Sequence, residues 1–76
     1  MNDYGVVLFH TTSSAMRAEK TLVRRGLSIK MIPTPREFSS DCGLALRFDW
    51  SQRDAVREFL SEARVEVAGL HPYPGK

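Results

Sequence analysis

At 76 residues the chain suits one small domain, spanning 1–76. At that length only about 60% of the unfolded surface can be buried, so every apolar run is needed for the core. A net charge of +2 is too small to argue for a nucleic-acid partner, and no apolar stretch approaches the roughly 20 residues of a membrane span. The single cysteine excludes an internal disulfide and a multi-cysteine zinc site, and Met1-Asn2-Asp3-Tyr4 is no basic leader, so a reducing cytoplasm is the expected location.

Tyr4-Gly5-Val6-Val7-Leu8-Phe9 reads as a strand covered on at least one face. His10-Thr11-Thr12-Ser13-Ser14 interrupts it with hydroxyl residues suited to capping a helix, which the pattern places over about Ser14 to Arg25. On that helix Ala15, Met16, Ala18, Leu22 and Val23 share one broad face, with Glu19 as a misfit inside it. Arg17, Lys20 and Arg24 lie opposite as a solvated stripe or a dock for an acidic partner, and Gly26 suits the left-handed position that ends a helix. Leu27 to Ile32 alternates as a half-buried strand that Pro33 and Pro35 end.

A long connection follows to Asp41, in which Phe38 is the one apolar anchor. Leu44, Leu46 and Phe48 then alternate with Ala45 and Arg47 in a third strand. Ser51 and Asp54 have capping-box spacing at the start of a second helix, whose apolar stripe is Val56, Phe59, Leu60 and Ala63. Val65 to Leu70 reads as the last strand, and residues 71–76 as a loose, proline-broken tail. The order βαββαβ predicts an α+β, ferredoxin-like sandwich: a four-stranded antiparallel sheet with both helices on one face, strand 3 lying beside strand 1.

That topology brings the end of strand 1, the start of helix 1 and the start of strand 3 to one edge, so Cys42 is expected near His10, Thr11 and Thr12. A helix N-terminus favours a thiolate, which is the nucleophilic form of cysteine. Arg36 would approach from the loop, Ser39 and Ser40 would donate hydrogen bonds to an anionic sulfur, and Gly43 would let the backbone bend tightly. His10 is either a proton shuttle or an ordinary surface residue. A second reading stands beside this one: free cysteine often only packs, and Cys42 is in phase with the core positions Leu44, Leu46 and Phe48. Nothing in the sequence suggests a metal or a cofactor, and His71 has no companions that would make a metal site.

Phe9-His10-Thr11-Thr12, Ala18-Glu19-Lys20 and above all Pro33-x-Pro35-Arg36-x-x-Ser39-Ser40-x-Cys42-Gly43-Leu44 resemble the selenium/sulfur carrier protein-like family of small bacterial domains. The similarity runs from about Val6 to Leu70. It implies that Cys42 holds a transferable sulfur or selenium as a persulfide or selenopersulfide, exchanged with donor and acceptor proteins by a monomer or weak homodimer. The Cys-Pro-x-Pro motif of other sulfur-transfer proteins is missing. The alternative is a non-catalytic regulatory or protein-interaction module of the same fold with an inert Cys42. Nucleic acid is disfavoured as a partner, because strand 3 lacks the aromatic pair of an RNA-recognition sheet.

Overall fold

The structure is a computed structural model that describes residues 3–38 and 42–74. Its elements in chain order are β1 (Asp3–Leu8), α1 (Thr12–Arg24), β2 (Ile29–Pro33), β3 (Leu44–Asp49), a single 3-10 turn (Trp50–Gln52), α2 (Arg53–Glu62) and β4 (Gly69–Pro74). The four strands form one antiparallel sheet in the order β2-β3-β1-β4, the expected ferredoxin-like arrangement. No helix among the described residues is long and apolar enough to cross a membrane.

On the face covered by the helices, Val7, Phe9, Leu46 and Phe48 from the sheet pack with Ala15, Ala18 and Leu22 of α1 and Val56 and Leu60 of α2. Each large side chain buried this way contributes about 1.5–3 kcal/mol. α1 packs through a narrower stripe than its sequence suggests: Ala15, Ala18 and Leu22 are buried, whereas Met16 and Val23 are exposed. Arg17 is more than a solvated charge, because its guanidinium donates to the carbonyl of Ala63 (3.2 Å) at the C-terminal end of α2. There it complements the negative end of that helix's dipole.

Both helices close with the same hydrogen-bond pattern. After α1, Leu27 N–H donates to Leu22 C=O (3.1 Å) and Gly26 N–H to Val23 C=O (3.0 Å), with Gly26 left-handed at φ +81°. After α2, Val65 N–H donates to Leu60 C=O (3.0 Å) and Arg64 N–H to Ser61 C=O (3.1 Å), and here Arg64 takes the left-handed conformation at φ 57°. This is why the strand expected over Val65 to Leu70 starts later. Val65 is tied back to α2 and buried, and only from Gly69 does the chain pair with β1.

Residues 71–74 therefore belong to an edge strand rather than to a loose tail. Pro72 and Pro74 are two residues apart, so their nitrogens face the same side; on an edge strand that is the outer one, and the ladder survives. The expected capping box is also replaced. Asp49 accepts from both the Ser51 N–H (3.0 Å) and the Ser51 hydroxyl (2.8 Å), and Gln52 at the start of α2 makes no side-chain cap.

The opposite face of the sheet has no helix, yet Val6, Leu8 and Ala45 there are buried. Their cover is Ile32, Tyr73 and Phe38 from the β2–β3 connection. The Phe38 ring stacks on His71 (centroids 5.0 Å, 15°) and meets Tyr73 edge-on at 6.3 Å.

Candidate functional site

Cys42 stands two residues before β3, and β3 antiparallel to β1 brings it to the edge where α1 begins. Thr11 caps α1 with its hydroxyl, which accepts from Ser14 N–H at 3.1 Å. Thr12, the first residue of the helix, places its Oγ1 3.9 Å from the Cys42 Sγ. The Leu44 N–H donates to the same sulfur at 3.4 Å. The sulfur therefore accepts from a backbone N–H and lies against a hydroxyl at a helix N-terminus, in a contact where either atom can donate.

The backbone of Cys42 is fixed by a residue that the sequence did not single out. Thr34 donates through Oγ1 to the Cys42 carbonyl (2.8 Å) and through its N–H to the Gly43 carbonyl (3.0 Å). These bonds extend the β2–β3 ladder beyond its last register pair, Pro33 with Leu44. A threonine between two prolines, where prolines cannot donate, was the available signal.

Cys42 is only 4% exposed and belongs to the helix-side core cluster with Phe9, Ala15 and Leu46. Gly43 beside it is exposed, and a Cβ there would meet nothing within 4 Å. The chain bends at Cys42 and Gly43, and Gly43 does so without entering the left-handed region. Its bareness also leaves the main chain next to Cys42 open to solvent.

Of the remaining residues expected at the site, His10 is exposed in the bend between β1 and α1, two positions before Thr12. Arg36 is exposed in a turn closed by Phe38 N–H donating to Pro35 C=O (3.0 Å). Ser39 and Ser40 lie outside the described residues. Among the described residues no group of three or more His, Cys, Asp or Glu side chains is placed to hold a metal ion.

Fold and site together define a small ferredoxin-like α+β protein with its one thiol at the junction of a helix N-terminus and a central strand. A family model described as "Putative Se/S carrier protein-like" matches residues 4–72, and the chain belongs to that family. No curated protein and no solved structure matches the chain.

Proposed function

We propose that Cys42 is a carrier thiol that accepts a sulfur or selenium atom as a persulfide or selenopersulfide and passes it on. The observation that carries this reading is the position of the sulfur against the first residue of α1 and the Leu44 N–H. Family membership supports it independently. In the loading step the Cys42 thiolate attacks the outer sulfur of a donor persulfide. The donor S–S bond breaks, a new S–S bond forms on Cys42, and the donor thiolate leaves and takes up a proton, with no net oxidation. A selenopersulfide donor follows the same balance with selenium as the transferred atom. His10 holds or relays the proton that Cys42 loses. The positive end of α1 and backbone N–H groups steady the new anionic outer atom, together with Thr11, Thr12, Arg36, Ser39 and Ser40. The exposed main chain at Gly43 gives the donor its approach. In this reading the protein works in a reducing bacterial cytoplasm, between a donor and an acceptor protein.

The burial of Cys42 favours a second reading, in which the thiol is packing and the domain is a binding module. Intact-mass measurement after incubation with a cysteine or selenocysteine desulfurase and its substrate separates the two. The carrier reading expects a reductant-labile adduct of one sulfur or selenium atom, absent from Cys42→Ala and reduced in rate in His10→Ala. An unmodified protein under conditions that load a control thiol peptide contradicts it.

A further inference from the structure

Far from Cys42, at the opposite end of β3, Lys30 and Arg47 are register partners on neighbouring strands, with both side chains on the face that has no helix. Like charges directly opposite each other in a sheet repel and cost stability. Among the described residues neither is in an ion pair. The Arg47 guanidinium carbon lies over the Tyr4 ring, 4.4 Å from its centroid, a cation–π contact that favours this placement of the side chain. Tyr4, Ser28, Lys30, Arg47 and Asp49 line a groove of about 360 Å³ here, within the size range of small-molecule sites. Asp49, the one carboxylate of its lining, is engaged by the N–H and hydroxyl of Ser51.

We propose that this groove binds a small, multiply charged oxyanion, held by the Arg47 fork and the Lys30 ammonium with Tyr4 and Ser28 at its sides. An anion seated between the two cations relieves their repulsion. Arg supplies paired N–H donors to phosphate or carboxylate oxygens, and Lys supplies a point charge. The site uses neither Cys42 nor any residue of the α1 N-terminus, so it stands or falls separately from the carrier reading.

The test is an amide chemical-shift titration of the ¹⁵N-labelled protein with pyrophosphate, and in parallel with citrate, at ionic strength held constant by sodium chloride. The expected result is saturable shifts centred on Ser28–Lys30 and Arg47–Asp49. Tighter pyrophosphate binding assigns a phosphorylated ligand, and tighter citrate binding a polycarboxylate. Lys30→Gln should weaken binding at least tenfold. Lys30→Glu, which creates a cross-strand ion pair with Arg47, should abolish it while the melting temperature holds or rises. Cys42→Ala should bind as the native protein does. Shifts that never saturate, that spread equally to Lys20 and Arg24 of α1, or that persist unchanged in Lys30→Glu would overturn the proposal.

Discussion

The two faces of the sheet are both sealed, but by different means. One is covered by two regular helices whose stripes supply Ala15, Ala18, Leu22, Val56 and Leu60. The other is covered by single residues from irregular or edge segments, chiefly Phe38 and Tyr73, over Val6, Leu8 and Ala45. The connection that delivers Cys42 to the helix side is thus pinned by Phe38 to the opposite side, against His71 and Tyr73 of β4. The one connection thus supplies Cys42 to the helix-side core and Phe38 to the cover of the other face.

The largest effect should come from crowding the helix-covered face where it is tightest. A Cβ on Gly5 would overlap the Phe48 ring and come within 2.6 Å of Trp50 Cε3, and these rings are already stacked on each other at 6.0 Å. Gly5→Ala should cost about 3 kcal/mol in chemical denaturation, the upper range for overpacking a core. A loss under 1 kcal/mol would mean that this face is loosely packed. Phe38→Ala probes the other face and should cost about 2 kcal/mol, less than a fully buried aromatic because Phe38 is half-buried. If it is silent, the second face is not a core, and the comparison fails.

Smaller changes sharpen the picture of the helical side. Arg64 occupies at the end of α2 the left-handed position that Gly26 occupies after α1. Arg64→Gly should therefore stabilise by about 1 kcal/mol, measured as a rise in melting temperature, whereas Gly26→Ala should destabilise by a similar amount. The smallest effect is electrostatic. The Ser51 N–H, and after it the Ser51 hydroxyl, hold the Asp49 carboxyl below its ordinary value of 3.8. A depressed folded-state value contributes stability above pH 3.8 that is lost as pH falls through the folded value. Asp49→Asn should thus be slightly less stable at neutral pH, and acid titration should show its deficit shrinking below pH 3.8.

The sandwich, the adjacency of β1 and β3 and the approach of Cys42 to Thr12 were legible because element order and period carry them. β4 was misplaced because Val65 and Val67 alternate like strand residues, while the backbone at Arg64 and Val65 is committed to closing α2. The prolines at 72 and 74 argued against a strand, and only the edge position reconciles them with one. Met16 and Val23 share the apolar face in projection yet are exposed, because a helical projection gives direction but not the width of the partner surface. The part of Thr34 was hidden because its partners are backbone carbonyls eight and nine residues away.

The central claim is that Cys42 reacts from the folded state despite being 4% exposed. Its most direct test is the rate of alkylation of the native protein by iodoacetamide at neutral pH, followed by intact mass across low, sub-denaturing urea concentrations. The carrier reading predicts modification in native buffer at a rate that stays flat until the unfolding transition, because only the chain beside Gly43 needs to admit the reagent. A rate that is negligible in native buffer and rises with urea in step with the population of unfolded protein would contradict it and leave Cys42 as core packing.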